Sequence, residues 1–128
     1  MMKILIRLLV VFCFFVTVSV SAETFTDPDK PIMLKPHEMI FVLKLKSNPT
    51  TGYSWFLRKP SMTLFESIQH RYVAPNVKRM GASGYELWTF KLDRHALNVP
   101  HYFKIKMIYA RPWQSPPADT VFKVYINR

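Results

Sequence analysis

The chain is expected to be all-β, with two antiparallel sheets packed face to face. Three observations carry that expectation. Apolar and polar residues alternate with a period of two along much of the chain after residue 37, the pattern of strands with one face buried and one in water. The ten prolines fall between the alternating stretches rather than inside them, as befits residues that cannot donate to a ladder. No segment carries a 3.6-residue apolar period bounded by helix caps. About seven or eight short strands in one small domain make an immunoglobulin-like antiparallel β-sandwich. A closed barrel is the other arrangement compatible with the pattern.

The elements follow in order. Residues 1–22 read as a secretory signal peptide, with Lys3 and Arg7 ahead of the apolar run Leu8–Val16 and small residues at Val20-Ser21-Ala22 for cleavage after Ala22. With Ile4, Leu5, Ile6 and Val18 around the run, the segment holds roughly 13 apolar residues, short of the about 20 that span a bilayer. Residues 10–12 lack the small residue that normally precedes a lipidated cysteine, so Cys13 is not expected to carry an anchor. The domain is therefore 23–128, exported to a periplasm or secreted, with no membrane association after cleavage. Residues 23–30 are expected to be a loose lead.

Strands are expected near 31–34, 38–46, 53–58, 64–73, 84–93, 101–110 and 120–127. In 38–46, Phe41, Leu43 and Leu45 point one way and Val42, Lys44 and Lys46 the other. In 84–93, Trp88, Phe90 and Leu92 alternate with Thr89, Lys91 and Asp93. In 101–110, Phe103, Ile105 and Met107 alternate with Lys104 and Lys106. In 120–127, Phe122, Val124 and Ile126 alternate with Val121, Lys123 and Tyr125.

Composition narrows the chemistry. Cys13 is the single cysteine and leaves with the signal, so the mature domain must hold together by burial, without a disulfide. The formal charge of +10 loses only the two charges of Lys3 and Arg7 on cleavage. A strongly basic domain attracts acidic partners. Its lysines are spread through strand-like segments rather than clustered in a run, which suits a solvated sheet face better than a nucleic-acid groove. Asn48-Pro49-Thr50 is not a glycosylation acceptor, because proline occupies its middle position.

The three glycines and three tryptophans concentrate in or beside three connections, "NPTTGYSW" (48–55), "RMGASGYELW" (79–88) and "YARPW" (109–113). In an up-and-down sandwich these connections emerge at one end, where the architecture makes binding surfaces. Pro49 fixes its own φ and biases Asn48 toward extended backbone. Thr50 and Thr51 are stiff at χ1, and Gly52 permits a sharp turn. Trp55 and Trp88 are expected in strands, in or beside the core.

"NPTTGY" resembles the first-loop motif of the chagasin family of cysteine peptidase inhibitors, Asn-Pro-Thr-Thr-Gly followed by an aromatic. "GASG" at 81–84 resembles that family's glycine-rich middle loop, and "RPW" at 111–113 its third motif; all three occur in the family's order. The resemblance spans most of residues 38–126. It implies a reversible inhibitor of papain-like cysteine peptidases that occludes the active-site cleft with three loops. The implied protease-binding residues are Asn48, Pro49, Thr50, Thr51, Gly52 and Tyr53, then Gly81, Ala82, Ser83 and Gly84, then Arg111, Pro112 and Trp113. Thr50, Thr51 and Gly52 would lie beside the catalytic Cys–His pair, and Trp113 would be the aromatic anchor. Ser83 stands where the family usually has glycine. Its Cβ disfavours positive φ, so the middle loop is expected to follow a slightly different path.

Other readings are weaker. "GASGY" is no nucleophile elbow, since Tyr85 stands where Gly-x-Ser-x-Gly needs glycine. No enzymatic activity, cofactor or metal is expected: His37, His70, His95 and His101 show no short ligand pair and no cysteine helps. The alternative function is an exported basic module that binds polyanions or an acidic protein through charge and exposed aromatics. With the inhibitor reading, no nucleic-acid partner is expected and the protein should be a monomer.

Overall fold

A computed structural model describes residues 21–60, 62–77, 79–98 and 100–127. The expected signal sequence falls almost wholly outside the described residues. Eight strands run in chain order as β1 (Glu23–Phe25), β2 (Ile32–Leu34), β3 (Ile40–Ser47), β4 (Ser54–Arg58), β5 (Phe65–Val73), β6 (Gly84–Leu92), β7 (His101–Ala110) and β8 (Thr120–Ile126). They form two four-stranded sheets, β1-β3-β6-β5 and β2-β8-β7-β4. The expected β-sandwich is the fold. Outside the strands, the described residues carry only two short 3₁₀ turns, Pro49–Thr51 and Arg94–Leu97.

The alternation determines what each strand buries. Phe41, Leu43 and Leu45 of β3 face the core with Phe90 and Leu92 of β6. Across from them lie Ile105 and Met107 of β7 and Phe122, Val124 and Ile126 of β8. Phe41 is directly opposite Phe90, and their rings stack at 5.2 Å. Phe65 packs on both Phe90 (5.3 Å) and Phe103 (5.5 Å), joining the two sheets. Phe41, Phe90 and Phe122 are fully buried, each contributing about 2–3 kcal/mol by removal from water. Trp55 and Trp88 are half-buried and pack against this core.

One sequence expectation is corrected. Residues 23–30 are not wholly a loose lead, because Glu23–Phe25 pairs in parallel with Phe41–Leu43 and forms a sheet edge. Phe25 meets the Phe41 ring edge-on at 6.4 Å. A three-residue strand is too short to show a period, and its partner is distant in sequence. A second parallel edge, β2 on β8, closes the other sheet; the remaining pairings are antiparallel.

Candidate binding edge

Register places the three glycine- and tryptophan-bearing connections at one end. Ser47, the last residue of β3, pairs with Gly84, the first of β6. Ser54, the first of β4, pairs with Ala110, the last of β7. The connections β3–β4, β5–β6 and β7–β8 therefore leave the sandwich together.

The first connection is tightly built. Asn48 caps the turn at φ −127°, ψ 86°, just short of the extended region, Pro49 opens the 3₁₀ turn, and Gly52 ends it in the left-handed region at φ 82°. Gly52 N–H donates to the Pro49 carbonyl at 3.0 Å, and Thr51 N–H to that of Asn48 at 3.2 Å. Both threonine hydroxyls turn back to Asn48: Thr51 Oγ1 donates to its carbonyl at 2.6 Å and Thr50 Oγ1 to its Oδ1 at 2.5 Å. These bonds use the polar groups of the threonines locally and leave both residues on the exposed surface.

The other two connections are tied to the first. Asn48 Nδ2 donates to the Gly81 carbonyl at 3.0 Å. Arg111 Nε donates to the Thr51 carbonyl at 3.0 Å, while its guanidinium lies 4.6 Å from the Tyr53 ring centre. Trp113 covers Gly52, where a Cβ would come within 3.1 Å of the indole. Trp113 is otherwise 73% exposed, and Pro112 beside it is exposed as well. Twelve of the thirteen residues singled out from the sequence thus lie in these connections at one end, and Gly84 begins the strand that leaves it.

The glycines of the middle connection serve different purposes. Gly81 has φ 78° with open space around its Cβ position, so it is needed for conformation alone. Gly84 begins β6, where a Cβ would lie 2.2 Å from the Val73 carbonyl oxygen and 2.5 Å from the Tyr72 hydroxyl. Ser83 is not among the described residues with positive φ. The left-handed position of "GASG" is Gly81, and a side chain at 83 meets no conformational penalty of that kind.

Beneath the edge the inward rows change character. The row running Leu92, Phe90, Trp88 along β6 ends at Glu86, which is 3% exposed. Its carboxylate accepts from Ser47 Oγ at 2.5 Å and from Trp55 N–H at 3.2 and 3.3 Å, and pairs with His70 Nε2 at 2.8 Å. Ser47 precedes the first connection and Trp55 follows it, so one buried carboxylate grips both of its feet. Tyr109 does the same from the other sheet: its hydroxyl accepts from Asn48 N–H at 3.0 Å, and its ring packs on Tyr53 and Trp55 at 5.3 and 5.0 Å.

Glu86 and Tyr109 were missed by motif reading. The signal for Glu86 was present, since it shares the inward parity of Trp88, Phe90 and Leu92. A carboxylate at such a position must find hydrogen-bond partners. Met80, fully exposed next to Gly81, was likewise outside the motifs.

The Ser47–Glu86–His70 cluster is not a hydrolytic triad. The carboxylate lies between serine and histidine, whereas activation requires the imidazole to receive the hydroxyl proton. Ser47 is also 1% exposed. Among the described residues no group of three or more His, Cys, Asp and Glu side chains could hold a metal ion, and no helix is long and apolar enough to cross a membrane.

Comparison with known proteins agrees with this architecture. The family described as chagasin family peptidase inhibitor I42 matches residues 36–126. No curated protein sequence matches. The structure is similar to that of the cysteine protease inhibitor EhICP2 from Entamoeba histolytica, with a TM-score of 0.61 and 22% identity over 83% of this chain and 95% of that one. It is also similar to the solution structure of amebosin, with a TM-score of 0.54 and 25% identity over 84% of this chain and 97% of that one. The protein belongs to the chagasin family of peptidase inhibitors and is not an enzyme.

Proposed function

We propose that this inhibitor acts reversibly on papain-like cysteine peptidases by occupying the active-site cleft with the three connections at its β3–β4 end. The observation that carries the reading is their mutual bonding: Asn48 to Gly81 and Arg111 to Thr51 join three separate loops into one edge. An edge already ordered in the free protein loses little entropy on binding. Thr50, Thr51 and Gly52 form its centre and sit against the catalytic Cys–His pair. Trp113 is the anchor, as expected of a large exposed aromatic, and the backbone of 81–84 lines the opposite wall.

The same geometry explains inhibition without turnover. The Pro49–Thr51 segment is a closed 3₁₀ turn, while attack needs a peptide carbonyl presented in a near-attack geometry. Opening the turn would break the bonds of Asn48, Thr50, Thr51 and Arg111 together. No nucleophile of the inhibitor takes part. Export after cleavage at Ala22 and a monomeric state belong to the same proposal.

Purified residues 23–128 are expected to inhibit at least one member of a panel of papain-like peptidases at micromolar concentration and to remain uncleaved. Absence of inhibition across the panel, or steady cleavage within 48–53, would sink the reading. Thr51→Trp is expected to weaken inhibition about 100-fold or more, with stability lowered by only about 1 kcal/mol, since the side chain is exposed and loses one hydroxyl bond to the Asn48 carbonyl. Unchanged inhibition removes Thr51 from the contact.

A further inference from the structure

The face of the β2-β8-β7-β4 sheet that points away from the core is built of rungs running across neighbouring strands. Arg58 of β4 lies directly opposite Lys106 of β7. Lys104 of β7 lies directly opposite Lys123 of β8. Tyr102 of β7 lies opposite Tyr125 of β8, their rings packed at 4.7 Å. Successive rungs are two residues, roughly 7 Å, apart. Like charges directly opposite each other destabilise a sheet, and here two such rungs are adjacent.

Little on the protein offsets this charge. β2, β4, β7 and β8 contain no Asp or Glu. Asp119, at the margin, pairs with Arg58 at 2.9 Å. Among the described residues no ion pair involves Lys104, Lys106 or Lys123, and all three are exposed. Arg58, Lys59, Lys104, Lys106 and Asp119 line one shallow depression.

We propose that this face is a second binding site, for a linear anionic polysaccharide lying along the strand direction. Its sulfate or carboxylate groups meet the two cationic rungs, and a sugar ring packs on Tyr102, which is 50% exposed. Single-stranded nucleic acid fits less well, because no aromatic side chains alternate with the cations to receive successive bases. An anionic bilayer fits less well too: the charged rungs separate the tyrosine rung from the Phe56–Ile108 rung, leaving no continuous apolar surface to insert. Lys106 and Lys104 are four and six residues before Ala110, the end of β7 at the loop edge, or about 14 and 20 Å along the strand. The two sites are separate, and this proposal does not depend on peptidase inhibition.

The test is binding of the mature protein to heparin and to a polyuronate across a salt series. Lys104→Gln/Lys106→Gln/Lys123→Gln is expected to weaken binding at least tenfold and to flatten the salt dependence. The charge-matched control Lys44→Gln/Lys46→Gln/Arg71→Gln, on the other sheet, should change affinity less than threefold. Tyr102→Ala should weaken heparin binding further, and Tyr102→Phe should retain it. Equal loss in the two triple variants reduces the effect to net charge and overturns the site. No binding of either polysaccharide near 0.15 M salt, or tighter binding of a single-stranded oligonucleotide or of phosphatidylserine vesicles, overturns it as well.

Discussion

The first and middle connections lie side by side at the same end of the sandwich but are held very differently. In residues 48–53 the backbone and side chain of Asn48, both threonine hydroxyls, the Pro49 and Thr51 carbonyls and the Thr51 and Gly52 N–H groups all have partners inside the protein, and Glu86 and Tyr109 hold the segment from below. Among the described residues of 74–83 the bonds are the turn bonds Arg79 N–H to the Val77 carbonyl and Ala82 N–H to that of Arg79, with the Asn48 side chain on Gly81. Val77 and Met80 stand out into solvent. Under the proposed mode of inhibition, the more heavily bonded connection is the one that would enter the cleft, and the connection bearing exposed Val77 and Met80 is the one that would line its wall. The two regions also use glycine for different reasons, conformation together with a covering indole at Gly52 and steric room at the root of the middle loop at Gly84.

That contrast can be broken from either side. The largest effect is expected at the root of the middle loop, where Gly84→Ala forces a Cβ against the Val73 carbonyl. We expect a loss of about 3 kcal/mol or more, read as a lowered midpoint of denaturant unfolding; a wild-type midpoint would show that β5 and β6 part easily there. Glu86→Ala comes next. It strands Ser47 and the Trp55 N–H and removes the partner of His70, so a loss of about 2–4 kcal/mol is expected. Inhibition should fall in parallel while the protein remains folded at low temperature; loss of stability with full inhibition would mean that the first loop holds itself.

Gly52→Ala should cost about 1–2 kcal/mol, from positive φ and from the Trp113 contact. Its inhibition constant should worsen more than its stability, because the indole must move. Thermal unfolding alongside an inhibition assay separates the two effects. The smallest change is expected for Ser83→Gly, within about 0.5 kcal/mol and threefold in inhibition, since residue 83 has no positive φ. A large gain in inhibition would instead show that the serine side chain obstructs the middle loop.

Much of this was readable along the chain. The inward rows of β3, β6, β7 and β8 followed from alternation, and the observed strand ends differ from the expected ones by no more than two residues. The "NPTTG" turn was readable because Pro49 and Gly52 restrict backbone locally. The short strand β1 was not readable, having neither period nor nearby partner. Which residue of "GASG" is left-handed was not readable for a related reason: letters show which residues tolerate positive φ, and only the path of the loop shows which position adopts it.

The sequence by itself determined an all-β sandwich, its core residues and the three glycine- and tryptophan-bearing connections, because period-two patterning and turn chemistry are properties of neighbouring residues. Tertiary structure decided that these segments form one edge, that Glu86 grips both feet of its centre, and that like charges face each other on the outer face of one sheet. Asn48 and Gly81 are 33 residues apart, and Thr51 and Arg111 are 60 apart. Contacts over such separations depend on the register of whole sheets, which no local stretch of sequence specifies.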